Sequence, residues 1–175
     1  MNTPTLSIDL DKIEHNARTI VRLCQTHGIQ VFGVTKCVCG NPAVAKAMLR
    51  GGVAGIADSR LVNIHRLHRA GVDAASLLLR LPALSAVEEV VDAVQVSLNS
   101  ELPVLRELSA AAVRRGRRHE VVLMLDLGDL REGVWVDDFV ALARDASTLP
   151  GIHIKGVGAN LACFGGVVPS VENMR

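Results

Sequence analysis

One repeated alternation constrains this chain more than any other feature. Six short apolar runs rich in β-branched residues are each bounded by polar or glycine residues, and stretches with helical period lie between them. The runs are "QVFGVTK", "GIADS", "SLLLRLP", "VQVSLN", "EVVLMLDLGD" and "IHIKGVGANLA". The helical stretches are "NPAVAKAMLRGG", "SRLVNIHRLHRAG", "ALSAVEEVVDA", "SELPVLRELSAAAVRRG" and "WVDDFVALARDAS". The first opens on Asn41 as N-cap with Pro42 at the first helical position, and the second stops at Gly71. A longer helix is predicted from about Asp11 to His27, behind a short strand candidate, "TLSIDL". Strands and helices alternating in this way specify an α/β fold with a parallel sheet and right-handed crossovers.

The strand ends choose among parallel sheets. Each run stops on polar residues: Lys36, Asp58 with Ser59, Arg80, Asn99, Asp126 with Asp129, and Asn160. In a closed barrel these carboxyl ends converge on one rim, whereas an open sheet spreads them along an edge. Convergence is the simpler account and predicts a (β/α)8 TIM-type barrel. Such a barrel takes roughly 250 residues, so residues 1–175 are expected to form its N-terminal part, about six strand-helix units. The remainder, with any C-terminal β domain, is expected outside this chain. With three Phe, one Trp and no Tyr, the core must be Val, Leu, Ile and Ala, which suits strands buried on both faces.

Composition excludes several classes of function. A net charge of +1 and a lack of aromatics among the basic residues argue against nucleic acid, and "RRGRRH" at 114–119 reads as a solvated helix end. No run reaches the roughly 18 apolar residues of a membrane span, and the N-terminus lacks the order of a signal peptide, so the expected location is cytoplasmic. Cys24, Cys37, Cys39 and Cys163 are then expected as reduced thiols. "CVC" lacks the second Cys or His pair of a zinc site, and no metal is expected. His65 and His68 read as partly exposed helix residues.

Lys36 poses a chemical question. An ammonium at the end of an apolar strand is costly if it is desolvated without a partner. A partly desolvated amine is suited to adding to an aldehyde as a Schiff base. The alternative is a lysine whose stem runs along the rim and whose head stays in water.

Four segments, "GVTKCVCG", "GIADSRLVNI", "MLDLGDLREG" and "KGVGANLACFGGVVPS", occur in the order of one family. Through them the chain resembles the alanine racemase N-terminal-domain family of fold-type III pyridoxal-phosphate enzymes, most closely its ornithine racemase branch. The resemblance implies a pyridoxal 5'-phosphate-dependent amino-acid racemase, dimeric when full length, acting on a small amino-acid substrate by removing and returning the Cα proton. It implies that Lys36 holds the cofactor as an imine and serves as an acid/base. Arg131 would reach the cofactor's phenolic oxygen, and Asn160 would lie beneath its ring, where alanine racemases usually carry histidine.

The departures are "CVCG", where alanine racemases have a tyrosine-containing turn, and the absence of any tyrosine to act as second acid/base. Candidates within this chain for that second role are Cys37, Cys39, Asp126, Asp129 and Cys163; the alternative is a second base in the part expected beyond residue 175. The rim carboxylates Asp58, Asp126, Asp129 and Glu132 are candidates for pairing with a cationic substrate side chain, or else are caps and ion-pair partners. Cys163 is a further substrate-site candidate. Gly165 and Gly166 read either as a rim loop bearing on substrate or as a turn needing positive φ. The phosphate and ring-nitrogen partners are expected beyond residue 175. Two alternatives share the lysine: a D-amino-acid lyase or aldolase, and a non-catalytic pyridoxal-phosphate homeostasis protein.

Overall fold

The structure is a computed structural model that describes residues 4–163 and 165–173. Its contacts divide the chain into two compact units, with the boundary between Ser76 and Leu77.

The first unit opens on helix α1 (Leu10–Gln25). Residues 4–9 form no strand, contrary to the reading of "TLSIDL". Asp9 is spent instead on capping, its Oδ1 accepting the N–H groups of Asp11 and Lys12, both at 3.1 Å. After α1 come β1 (Phe32–Val34), α2 (Pro42–Arg50), β2 (Gly55–Asp58) and α3 (Leu61–Arg69). Asn41 caps α2 as the sequence predicts, accepting from Ala43 N at 2.9 Å and Val44 N at 3.4 Å. β1 and β2 pair in parallel, Phe32 opposite Gly55 and Val34 opposite Ala57. Gly55 is dictated by contact, because a Cβ there would lie 2.5 Å from both the Phe32 ring and the Ala75 carbonyl. Val21, Ala45, Val53, Ile56, Leu67 and Val72 form the core beneath α1 to α3. Burial of each larger side chain contributes about 1.5–3 kcal/mol.

The second unit carries the latter half of β3 (Ala75–Leu78), then α4 (Val87–Ala93), β4 (Val96–Asn99), α5 (Leu102–Arg114), β5 (His119–Met124), α6 (Val136–Ser147) and β6 (Ile152–Gly158). Its ladders are also parallel: Leu78 faces Ser97, Asn99 faces Leu123, and Met124 faces Gly158, with a bulge between Val121 and Val122. Val90, Val91, Leu105, Leu108, Val121, Leu123 and Ile152 are fully buried and form its core.

Two polar arrangements brace this unit. The basic stretch after α5 is a clasp rather than a solvated end. Arg115 grips Asp92 with Nε–Oδ1 at 2.5 Å and Nη2–Oδ2 at 2.6 Å and also pairs with Glu88, while Arg118 donates to the Ile152 carbonyl from β6. Arg115 first, then its neighbours, holds the carboxyls of Asp92 and Glu88 below their ordinary range. Beneath the clasp, Asn99 Nδ2 donates to Ser97 Oγ at 2.9 Å, and Ser97 Oγ lies 2.9 Å from His119 Nε2. Burial, reinforced by the nearby Arg117, lowers the His119 pKa to about 4. A neutral ring accepting from Ser97 at Nε2 completes the chain of donors.

Candidate active site

In the first unit, the backbone around Lys36 is fixed by its neighbours. Thr35 is fully buried, its N–H on the Ala57 carbonyl at 3.1 Å and its Oγ1 donating to Asp58 Oδ2 at 2.8 Å. The other oxygen of Asp58 accepts from Arg60 N at 3.0 Å and Asn63 Nδ2 at 2.9 Å. A 3-10 turn, Lys36–Val38, follows and ends on Cys39 in the left-handed region at φ 52°. Arg66 anchors it by donating to the Cys39 carbonyl. Gly40 closes the turn against α3, where a Cβ would lie 2.8 Å from Asn63 Cβ. Thr35 and Asp58 thus point into the unit, and Lys36, one residue on, is exposed. The lysine is presented from an ordered turn and is not desolvated in this chain. Asp58, fully buried, is committed to holding that turn.

The candidates of the second unit gather in two segments: the loop after β5 and the segment after β6. The first is cinched where Val134 N donates to the Met124 carbonyl at 3.0 Å and Asp126 N to the Val134 carbonyl at 2.9 Å. Gly133 makes this possible, with φ 120° and a Cβ position only 2.5 Å from Asp126 N. Inside the loop, Asp126 Oδ1 accepts from Gly128 N at 2.8 Å and Leu130 N at 3.2 Å, and Leu130 itself has φ 59°. Asp126 is 8% exposed and Asp129 1% exposed.

Asp129 joins the two segments. Its Oδ2 accepts from Asn160 Nδ2 at 2.8 Å, and its Oδ1 from the N–H groups of Cys163 at 2.8 Å, Gly165 at 3.1 Å and Gly166 at 3.2 Å. Gly166 takes positive φ, 75°, and Gly165 is pressed so closely on the loop that a Cβ would lie 2.6 Å from the Gly128 carbonyl. The positive-φ turn is therefore realised in this pair. Arg131 emerges next to Asp129, donating from Nη1 to Cys163 Sγ and pairing from Nη2 with Glu132 at 3.2 Å.

The structure thus brings together Asp126, Asp129, Arg131, Asn160 and Cys163, and spends both aspartates on backbone N–H groups. Sequence reasoning named Asp129 as a substrate contact; its linking of the two segments was missed, since nothing in either segment alone specifies the pairing. Among the described residues no group of His, Cys, Asp and Glu side chains is arranged to hold a metal ion. The available chemistry is an exposed primary amine at Lys36, able to add to an aldehyde, and a guanidinium at Arg131 able to donate to an anionic oxygen. Both fit the requirements of a pyridoxal-type cofactor.

Comparison with known proteins gives these parts a context. The chain is 38% identical over 172 residues to an ornithine racemase of Acetoanaerobium sticklandii, covering 98% of this chain and 48% of that protein. It is 34% identical over 172 residues to a lysine racemase of Thermotoga maritima, again covering 98% and 48%. Among solved structures, alanine racemase from Corynebacterium glutamicum superposes with a TM-score of 0.78 at 21% identity, over 93% of this chain and 47% of that one. The chain spans about half the length of the curated relatives it matches. Its fold class is the TIM-type (β/α)8 barrel, of which it supplies six strands with their helices. The family profile described as alanine racemase, N-terminal domain, matches residues 8–173, and the chain belongs to that family.

Proposed function

We propose that the protein carrying this chain is a pyridoxal 5'-phosphate-dependent amino-acid racemase, with Lys36 as the residue that holds the cofactor. The family match carries the reading, and the ordered presentation of Lys36 at the end of β1 supports it. When bound, the cofactor withdraws electrons from the substrate Cα, so that a modest base can take its proton.

The remaining work falls to the protein. Lys36 would hold the cofactor covalently through Nζ, and its amine, when free, would carry a proton to or from Cα. The contacts of Thr35, Asp58 and Arg66 fix the backbone of the turn from which that amine extends. Arg131 would donate to the cofactor's phenolic oxygen and favour its ionised form. Asn160 would contact the cofactor ring. A second proton carrier must act on the opposite face, because a single base returns the proton to the side it left. Cys37, Cys39 and Cys163 are exposed thiols of this chain and the first residues to test for that role. Relatives named for ornithine and lysine make basic amino acids the first substrates to try. The full-length protein is proposed to be a cytoplasmic homodimer.

Deuterium incorporation at Cα of L-ornithine, L-lysine, L-alanine and L-serine in heavy water, with D-isomer formation followed in parallel, tests the reading. Exchange with at least one of them is expected, and Arg131→Ala should slow it by about 2–4 kcal/mol in barrier with cofactor content falling much less. No exchange with any amino acid in the cofactor-loaded protein would leave the homeostasis role standing. Carbon–carbon cleavage of a β-hydroxy amino acid without exchange of the others would identify a lyase.

A further inference from the structure

Asp129 lies among residues given roles above, yet its carboxylate is turned away from solvent and 1% exposed. It holds Asn160 through the side-chain nitrogen and holds the backbone N–H of Cys163, whose sulfur receives the Arg131 guanidinium. Two functional side chains therefore take their placement from one buried group. From this geometry we infer that Asp129 is a positioning residue, which fixes the polarity of the Asn160 amide and, through Cys163, the aim of Arg131. The inference rests on the roles proposed above for Asn160 and Arg131.

An ionised carboxylate only accepts hydrogen bonds, so the side of Asn160 that meets it must be the nitrogen. The amide carbonyl is then turned away from Asp129. Were the amide free, its two orientations would differ little in energy, and the group beneath the ring would alternate between acceptor and donor. Asp129 removes that ambiguity. Its hold on the N–H groups of Cys163, Gly165 and Gly166 is a separate task that an amide oxygen could also perform. The two tasks can therefore be separated by substitution.

In Asp129→Asn the new side chain keeps one oxygen for the backbone N–H groups but turns a nitrogen toward Asn160, which must reverse its amide to accept. The measurements are the absorbance spectrum of the bound cofactor, kcat and KM for Cα exchange, and the thermal unfolding midpoint, all in the full-length protein. Asp129→Asn is expected to shift the absorbance band and to lower kcat on the order of tenfold, the loss of about one well-placed hydrogen bond, with KM little changed. In the double variant Asp129→Asn/Asn160→Asp, position 160 accepts from residue 129 and again turns an oxygen away from it, so the band and most of kcat should recover. A merely structural role would not be rescued by a change at position 160.

An unchanged spectrum and kcat in Asp129→Asn, or failure of the double variant to recover either while it unfolds at the parent's temperature, would overturn the inference. If Asp129→Asn does not fold, Asn160→Ala leaves the backbone contacts of Asp129 intact. A parental spectrum in that variant would equally overturn it. Absence of exchange in the parent would refute the racemase reading alone, and the absorbance comparison would still decide the role of Asp129.

Discussion

His119 offers a test whose size and sign come from its surroundings. It is 3% exposed, and burial, followed by the charge of Arg117, brings its pKa down to about 4 from the ordinary 6.5. Between these values the ring is neutral in the fold and protonated in the unfolded chain. The unfolded state therefore binds more protons, and stability must rise with pH across this window. The contribution is complete above pH 6.5 and is lost as pH falls toward 4. Its size is about 3 kcal/mol over the whole window and about 2 kcal/mol by pH 5, at 1.36 kcal/mol per unit. Glu14, Glu88 and Asp92, whose carboxyls arginines hold below their ordinary range, lose stability only as pH falls below their unfolded values near 4. The span from pH 6.5 to 5 therefore belongs mainly to histidine.

The perturbation is His119→Gln, which keeps an acceptor for Ser97 and removes the titration. Urea unfolding at pH 7, 6 and 5 should give parent and variant curves that converge by about 2 kcal/mol as pH falls. A ¹⁵N spectrum at pH 5.5 should find the His119 ring neutral. Parallel curves, or a ring protonated at both nitrogens at that pH, would refute the reasoning.

Other predictions concern the site. Borohydride reduction of the cofactor-loaded protein should leave a stable adduct on Lys36, and Lys36→Ala should abolish it; peptide mass mapping that finds the adduct elsewhere would displace this residue. Thr35→Val should cost about 1–2 kcal/mol by leaving Asp58 Oδ2 short of a donor, with a matching fall in the denaturant midpoint. Gly165→Ala, whose methyl would press on the Gly128 and Asp129 carbonyls, should cost about 1–3 kcal/mol and loosen the segment after β6, read as faster amide exchange at Cys163.

The elements that sequence identified best carry their instructions locally. Asn41-Pro42 specifies both the cap and the first turn of α2 within two residues, and each of the six strands overlaps the apolar run chosen for it, β3 and β5 starting one residue earlier, at Ala75 and His119. "TLSIDL" failed because alternation alone does not make a strand: it forms no ladder in the structure, and Asp9 has a better use at the start of α1. The arginines after α5 were misread because their partners Glu88 and Asp92 lie on α4, more than twenty residues earlier.

The same distinction explains the site. Lys36 stood out in the sequence as a charge at the end of an apolar run; in the structure Gly33 and Thr35 are buried, and Lys36 lies exposed on the 3-10 turn that follows β1. Asp58 differs: all four residues of β2 are buried, and its carboxylate turns in to hold Thr35. What a buried aspartate then does depends on which donors reach it. For Asp129 these donors come from 31 to 37 residues further along the chain, a distance over which composition and period carry no signal. Its carboxylate was visible in the sequence only as a charge near the rim. The fold turns that charge inward, where it is not available to pair with a substrate cation and instead orders the residues around it.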